Sequence, residues 1–185
     1  MVILVNKKRA AIAFLLVAAI VAALFLYKPY LRKFEYPLKY SEYVDVSAEK
    51  FGVDRYLIYS VIKAESKFNE MARSHKAAQG LMQITPETAT WAMEKMGIEG
   101  DIFTPEINIA VGSWYLSKLI GDHDGNLIAA LAAYNAGSRN VNDWKNDAGE
   151  LKEADILFEE TRDYVYKTLE YYENYKKLYT EGERK

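Results

Sequence analysis

The sequence predicts a mainly α-helical fold that is preceded by one N-terminal transmembrane helix. Two Thr-Pro-Glu segments, beginning at Thr85 and Thr104, combine a capping hydroxyl, a first-turn proline and an acid near the positive end of a helix. Residues 126–134 are apolar nearly all round, as in a buried helix. No run is a convincing strand, although residues 74–84 allow a short β-hairpin. Helices are therefore expected to form nearly all of the regular structure.

An apolar run at residues 10–27 predicts the transmembrane helix. It contains no charged residue and follows the basic residues 7–9, and its length is at the lower limit for a helix that crosses a bilayer. The alternative is a secretory signal peptide with its cleavage site at Val21-Ala22-Ala23. We favour a retained anchor, because the run continues beyond that site to Tyr27 and Lys28, as a membrane-interface anchor does. The predicted organisation is a cytoplasmic N-terminus, an anchor, a linker, a folded domain and a tail, at residues 1–9, 10–27, 28–40, 41–179 and 180–185.

The remaining helices have recognisable boundaries. Ser47 is expected to cap a short helix that ends at Gly52, and Asp54 is expected to cap the next one. The two Thr-Pro-Glu helices should end near Gly97 and at Gly121. The last two predicted helices are the buried central one and a long tyrosine-rich one, at residues 126–134 and 159–179.

Glu65 stands on the apolar face of the helix that Asp54 is expected to cap. Ile58 and Val61 lie two turns and one turn before it, so a carboxylate occupies a position where a leucine is expected. Burial against apolar surface raises the pKa of a carboxylic acid, and the acid can then donate a proton near neutral pH. The alternative interpretation is a partly exposed glutamate at the edge of the apolar stripe.

Four short motifs occur in order along the chain. They are Glu65-Ser66, Gly80-Leu81-Met82-Gln83, Ala133-Tyr134-Asn135-Ala136-Gly137 and Glu160-Thr161-Arg162-Asp163-Tyr164-Val165. Together, at this spacing, they resemble the lytic transglycosylases of the SLT type, which are relatives of goose-type lysozyme. The resemblance covers roughly residues 47–175. It implies a lysozyme-like helical domain at residues 41–179 and an enzyme that cleaves peptidoglycan.

The chemistry that the resemblance implies needs one carboxylic acid. Glu65 would protonate the leaving oxygen of the β-1,4 bond between N-acetylmuramic acid and N-acetylglucosamine. The substrate's acetamido carbonyl would assist at the anomeric carbon, and Glu65, now a base, would activate the sugar's own 6-hydroxyl to give a 1,6-anhydro product. No Asp occurs between Asp54 and Asp101 to act as a second carboxylate, although Glu70 and Glu87 remain available. The alternatives are a muramidase-type hydrolase on the same fold and a non-catalytic scaffold that binds the cell wall.

The resemblance also implies a set of substrate-binding residues. Taken alone, Ser74 suits a turn, Met82 and Gln83 suit core and surface, and Asn135 suits a helix cap. Ala77 stands where the family usually has glycine, so a positive φ at this position would be strained. The residues that the resemblance assigns to substrate binding are Ser74, Met82, Gln83, Tyr134, Asn135, Glu160 and Tyr164.

Composition limits the partners and the cofactors. The chain has no Cys and two His, and His75 and His123 lack partners at metal-ligand spacing, so we expect no metal and no cofactor. Residues 1–40 carry seven of the 24 basic groups and one of the 26 acidic groups, which leaves a net charge of −8 on the rest. So acidic a domain is a poor candidate for nucleic acid. The expected partners are peptidoglycan strands and, through the N-terminal helix, the membrane, with the catalytic domain on the extracytoplasmic side. The sequence identifies no partner in the cell-wall machinery, and cleavage of the N-terminal segment would make the enzyme a secreted one.

Overall fold

The computed structural model describes residues 7–146 and 149–180, apart from some side chains of the first helix. It divides the chain into two units, of which the first ends at Pro37 and the second begins at Leu38. Within the described residues the regular structure is helical, which confirms the mainly α prediction. The helices are α1 (Lys7–Glu35), α2 (Ser41–Phe51), α3 (Arg55–Ser66), α4 (Pro86–Met96), α5 (Pro105–Asp122), α6 (Leu127–Ala136), α7 (Ser138–Trp144) and α8 (Glu159–Tyr179), with one 3-10 turn at Glu153–Asp155.

The first unit consists mainly of helix α1, in which the large apolar side chains that the structure describes are exposed. Phe14 and Leu15 are 73% and 65% accessible. Across the described residues, no helix has the length and apolarity needed to span a membrane. The predicted anchor at residues 10–27 includes Phe25 and Leu26, whose side chains the structure does not describe. Residues 1–6, at the predicted cytoplasmic N-terminus, and residues 181–185, in the predicted tail, lie outside the described residues altogether.

Residues 28–35 of the predicted linker are helical. Helix α1 continues through Pro29 and ends at Glu35, two residues before Pro37. A proline inside a helix removes one backbone donor and strains the preceding turn, but the hydrogen-bond ladder can continue on both sides of it. The residue before a second proline disfavours the helical conformation, which accounts for the end of the helix at this point.

The second unit is built around helix α6. Its residues from Ala129 to Ala133 are all buried, as expected for a central helix, and α6 packs against α5, α7 and α8. Helix α3 packs along α8, where the Tyr59 and Tyr175 rings stack with their centroids 5.5 Å apart. The apolar face that carries Glu65 therefore lies against the tyrosine-rich helix.

Most of the predicted helix boundaries are confirmed. The Asp54 carboxylate accepts the Tyr56 N–H at 2.8 Å, and the Thr85 hydroxyl accepts the Thr88 N–H at 3.3 Å. Such caps satisfy backbone donors that the first helical turn leaves free. Left-handed glycines end α2 and α4, and α8 has the predicted bounds. The residues at the confirmed glycine ends are Gly52 and Gly97.

Two boundary predictions were wrong, and one helix was not predicted. Ser47 caps no helix, because α2 begins six residues earlier and buries Ser47 on the same face as Val44. Helix α5 passes Gly121 and ends at Asp122, where the backbone N–H of His123 closes the last turn. Helix α7 was not predicted, because Gly137 was interpreted only as the end of α6 although it also precedes α7.

The β-hairpin that the sequence allowed at residues 74–84 is replaced by a compact loop. Only two isolated antiparallel bridges occur here within the described structure, from Gln79 to Arg73 and to Ile84. The backbone turns through positive φ at Ala77, Gly80 and Gln83. A strand cannot continue through left-handed residues, so the chain folds back on itself without forming a ladder.

Candidate active site

Glu65 lies in the last turn of α3, at the edge of the buried core. Leu57, Ile58 and Val61 on the same helix are fully or almost fully buried. Burial raises the pKa of the Glu65 carboxylic acid from 4.5 to about 7, and the nearby Tyr164 hydroxyl lowers it by a smaller amount. Desolvation disfavours the charged form. Glu65 is therefore protonated to a large extent near neutral pH, as a general acid requires.

Two half-buried tyrosines, Tyr134 and Tyr164, face Glu65 from α6 and α8. The charge of the Glu65 carboxylate adds to burial in raising the pKa of both Tyr134 and Tyr164. The Tyr134 hydroxyl donates a hydrogen bond of 2.8 Å to the Met82 carbonyl. The Tyr164 hydroxyl is buried and has no partner within hydrogen-bond geometry in the described part of the chain. The proton of Tyr134 is thus engaged away from Glu65, and Tyr164 is the phenol that is free to interact with the carboxylate.

Gln83 closes the loop that follows α3. Its side-chain amide nitrogen donates to the carbonyls of Ala72 at 3.1 Å and Gly80 at 2.8 Å. A glutamine amide has two N–H donors, and both serve the loop. The side-chain oxygen is the group that Gln83 can offer to a ligand.

The interpretation of Met82 as a sugar-facing wall is not supported. Its side chain is fully buried, and a Cβ added at Gly112 of α5 would lie 2.4 Å from its sulfur. The side chain therefore packs against the bare backbone of α5. The motif predicted that Met82 belongs to the site, but the contribution of this residue comes from its backbone carbonyl, which binds Tyr134.

Asn108 is a residue that supports the loop at residues 79–82 and that sequence reasoning missed. From inside α5, its fully buried side chain accepts the Met82 N–H at 2.7 Å and donates to the Gln79 and Ile102 carbonyls at 2.9 and 2.8 Å. A Cβ at Gly80 would lie 2.2 Å from its amide nitrogen. Asn108 stands between two isoleucines in a largely apolar helix. A polar residue at such a core position is the sequence feature from which its buried hydrogen bonds could have been predicted.

Ser74 occupies a tight turn on the surface. Its hydroxyl oxygen accepts the N–H groups of Lys76 at 3.2 Å and Ala78 at 3.1 Å. Ala77, within this turn, has a φ of 60°, so the strain expected for a residue in place of glycine is present. Ser74 fits the local-turn interpretation, and its hydroxyl proton is still available to a ligand.

The last two predicted positions lie at the start of α8. Asn135 of α6 accepts a hydrogen bond of 2.8 Å from the Thr161 hydroxyl, which fixes the beginning of α8 against the central helix. Glu160 is exposed, one helical turn before Tyr164. Arg162 donates to the Ile156 carbonyl at 3.3 Å, as a structural residue does. The structure thus brings Glu65, Tyr134 and Tyr164 together and leaves Ser74 and Glu160 at the surface.

Among the surface cavities of the described part of the second unit are two that Glu65 does not line. The larger one, of about 860 Å³, lies between α4 and residues 97–102. The smaller one, of about 410 Å³, is lined by residues that include Trp91 and Tyr115. Sequence reasoning did not single out either aromatic residue, because a tryptophan or tyrosine in an amphipathic helix is usually a packing residue.

Comparisons with known proteins give a consistent result. The family model of the transglycosylase SLT domain matches residues 42–157. A putative soluble lytic murein transglycosylase of Haemophilus influenzae is 36% identical over an alignment of 144 residues, which covers 73% of this chain and 24% of that protein. Membrane-bound lytic murein transglycosylase F of Desulfosudis oleivorans is 41% identical over an alignment of 106 residues, which covers 54% of this chain and 22% of that protein.

A solved structure shows the same fold. The lytic transglycosylase Slt of Pseudomonas aeruginosa, solved as an inactive glutamate-to-glutamine mutant, superimposes with a TM-score of 0.74 at 33% identity, over 78% of this chain and 25% of that one. This confirms the lysozyme-like SLT fold for the second unit. The chain spans about a quarter of the length of the relatives named here.

Proposed function

The chain belongs to the transglycosylase SLT domain family, and on that premise we propose that it is a peptidoglycan lytic transglycosylase. Its substrate is the β-1,4 bond between N-acetylmuramic acid and N-acetylglucosamine. The observation that carries the proposal is the Glu65 carboxylic acid, whose pKa burial raises to about 7. A binding scaffold has no need of a desolvated acid. The Pseudomonas relative, which is inactive as a glutamate-to-glutamine mutant, supports a glutamate as the essential group in this fold.

The reaction proceeds in two steps that use Glu65 as the acid and then as the base. Protonated Glu65 gives its proton to the glycosidic oxygen as the bond from the anomeric carbon breaks. The acetamido carbonyl oxygen of the muramyl sugar bonds to that carbon. The Glu65 carboxylate then takes the proton of the 6-hydroxyl, whose oxygen displaces the acetamido oxygen. The product is a 1,6-anhydro-muramyl end, and no water is consumed.

Some of the remaining site residues can bind the substrate through groups that the fold leaves available, and the others position the site. The side-chain oxygen of Gln83 can accept a hydrogen bond from a sugar, while the two N–H donors of the same amide hold the loop. The Ser74 hydroxyl proton can bind the acetamido oxygen. Exposed Glu160 can accept from sugar hydroxyls, while Asn135 and Tyr134 position α8 and the Met82 backbone. Tyr164 completes the surroundings of Glu65.

The enzyme is proposed to be held at the extracytoplasmic face of the cell membrane by residues 10–27. The support is the uncharged apolar sequence, the exposed apolar side chains of α1 such as Phe14, and the membrane-bound relative from Desulfosudis. Burying such side chains in lipid removes apolar area from water. Carbonate extraction of membranes and N-terminal sequencing of the mature protein test this placement. A mature protein that begins at Leu24 would establish a secreted enzyme instead.

Product analysis tests the reaction. Purified cell wall is digested by the full-length protein in ¹⁸O water, and the fragments are weighed by mass spectrometry. Unlabelled 1,6-anhydro ends, lighter by one water than reducing ends, are expected. Glu65→Gln, which preserves the shape of the side chain, is the matched control and should lose nearly all turnover, since acid–base catalysis contributes roughly 10²–10⁴-fold.

Two other outcomes would replace the proposal. Reducing ends that carry the ¹⁸O label would establish a muramidase-type hydrolase on the same fold. Binding to the wall with no cleavage of any preparation would establish a non-catalytic scaffold.

A further inference from the structure

The smaller cavity, between α4, α5 and the start of α7, has the dimensions of a ligand site. Its volume of about 410 Å³ falls in the range of roughly 300–1,000 Å³ found for small-molecule pockets. Trp91 and Tyr115 form its aromatic wall, and Thr88, Leu119 and Ser138 are among the other lining residues. A ligand of saccharide size fits such a space.

The aromatic wall of this cavity is held in a fixed orientation. The Trp91 ring makes edge-on contacts with Trp114, at 5.0 Å between centroids, and with Tyr115, at 6.2 Å. The Lys118 ammonium lies 6.0 Å from the Trp91 ring centroid. Trp91 is nevertheless only partly buried. A rigid and partly accessible indole is an apolar platform that loses little conformational entropy when a ligand stacks on it.

Polar groups surround the aromatic platform. The Glu87 carboxylate and the Ser138 hydroxyl lie among the lining residues, together with the ion pair between Lys118 and Asp122. Carboxylates accept hydrogen bonds, an ammonium donates them, and a hydroxyl does both. A sugar ring has apolar C–H faces and a rim of hydroxyl and acetamido groups, so an aromatic wall with a polar rim matches its chemistry.

A short aromatic path connects this cavity to Glu65. The Tyr115 ring lies 5.4 Å from the Tyr134 ring, centroid to centroid. Tyr134 in turn is close enough to Glu65 for the carboxylate charge to raise the pKa of its phenol. Two side chains, Tyr115 and Tyr134, therefore lie between the cavity and the acid, a separation that a glycan of several sugar units exceeds in length.

We propose that the cavity at Trp91 is a subsite for an N-acetylated sugar unit of the glycan strand, apart from the sugars that flank the bond cut at Glu65. This inference rests on the proposed function, because that function supplies the glycan. Trp91 is a positioning residue: it stacks on a sugar unit and sets how the strand lies in the site.

The indole N–H signals of the three tryptophans give a direct test by NMR on the full chain. The probes are β-1,4-linked oligomers of N-acetylglucosamine, a dimer and a hexamer, and Trp91→Phe assigns the Trp91 signal. The hexamer should shift the Trp91 signal at lower concentration than the dimer does. Trp144, which packs against Phe158 with the ring centroids 4.9 Å apart and does not line the cavity, is the internal control.

Kinetics on soluble glycan strands give the second test. Trp91→Ala should raise KM about threefold to tenfold, the loss expected for one aromatic contact, and leave kcat and the pH profile within twofold. Ser138→Tyr fills the cavity without removing a core contact and should raise KM in the same way, even if Trp91→Ala fails to fold. Tyr166→Ala, at an exposed position of α8, should match the parent.

The outcomes separate this inference from the proposed function. Cleavage with parental KM in Ser138→Tyr, or glycan binding that leaves the Trp91 signal in place, overturns the subsite alone. A shifted Trp91 signal without cleavage of any wall supports the subsite and overturns the proposed reaction. Absence of both overturns both.

Discussion

The Tyr134 hydroxyl, on the central helix, donates a hydrogen bond of 2.8 Å to the Met82 carbonyl, 52 residues earlier in the chain. The same phenol is close enough to Glu65 to be affected by its charge. One side chain therefore connects the core helix, the loop at residues 80–83 and the surroundings of the acid. The resemblance assigned Tyr134 to the site, and its position near Glu65 is compatible with that assignment. Its hydroxyl, however, donates to the loop and not to the Glu65 carboxylate.

Tyr134→Phe should lower both the stability of the protein and its rate of glycan cleavage. The change removes the donor and leaves the Met82 carbonyl without its partner, which costs about 1–3 kcal/mol for a buried acceptor. Urea denaturation should show this loss, and kcat/KM on wall glycan should fall severalfold, because the loop is no longer fixed. Tyr166→Phe, at an exposed tyrosine of α8, is the control and should change neither quantity. An unchanged free energy of unfolding would show that the hydrogen bond is not important for the fold.

Asn108→Ala should have a larger effect on stability than Tyr134→Phe. It removes three hydrogen bonds to the backbone of Gln79, Met82 and Ile102, and each buried group left unpaired costs about 1–3 kcal/mol. Differential scanning calorimetry should show a clearly lower Tm. Asn126→Ala, whose amide donates to the Leu151 carbonyl at 3.1 Å elsewhere in the unit, is a comparison that leaves the loop intact. Equal losses in the two variants would contradict a special role for Asn108.

The features that could be predicted from the sequence are those that depend on residues close together in the chain. Asp54, Thr85 and Gly97 mark helix boundaries through hydrogen bonds and backbone angles within a few residues, and these predictions were correct. The position of Glu65 next to the core was predicted, because helical periodicity alone places this residue on the apolar face of α3. Ser47 was interpreted incorrectly, because tertiary packing buries it inside a helix that its own propensity would start.

Features that depend on distant parts of the chain could not be predicted. Asn108 binds residues 26 and 29 positions away, and no local pattern encodes that partnership. The motif placed Met82 at the site, but the direction of its side chain is set by the absence of a Cβ at Gly112 of another helix. The Trp91 cavity likewise forms only when α4, α5 and α7 come together.

The stability of the protein should depend on pH through Glu65. Its pKa is 4.5 for a free side chain and about 7 in the fold, so the folded state binds the proton more tightly. The folded state is then most favoured below pH 4.5, loses stability as pH rises between these values, and loses no more above about pH 7 through this group. The loss is at most about 3 kcal/mol at 1.36 kcal/mol per pKa unit.

Glu65→Gln isolates that pH effect. The variant cannot ionise, so its free energy of unfolding in urea should exceed that of the parent at pH 8. At pH 4, where both side chains are neutral, the two proteins should be about equal. A difference that is the same at both pH values would show that ionisation of Glu65 costs the fold nothing.

Tyr164→Phe should move the pH profile of catalysis to higher pH. The Tyr164 hydroxyl lowers the pKa of Glu65, against the larger rise caused by burial. Removing that hydroxyl takes away a group that stabilises the carboxylate, so the pKa should rise further.

Glu65 must be protonated to act as the acid, and the rate therefore falls as pH rises past the pKa of Glu65. The alkaline limb of kcat/KM, which reports the free enzyme, should lie near pH 7 in the parent and higher in the variant. Tyr166→Phe should leave this limb in place, and a limb that moves to lower pH in Tyr164→Phe would show that the hydroxyl stabilises the protonated acid instead.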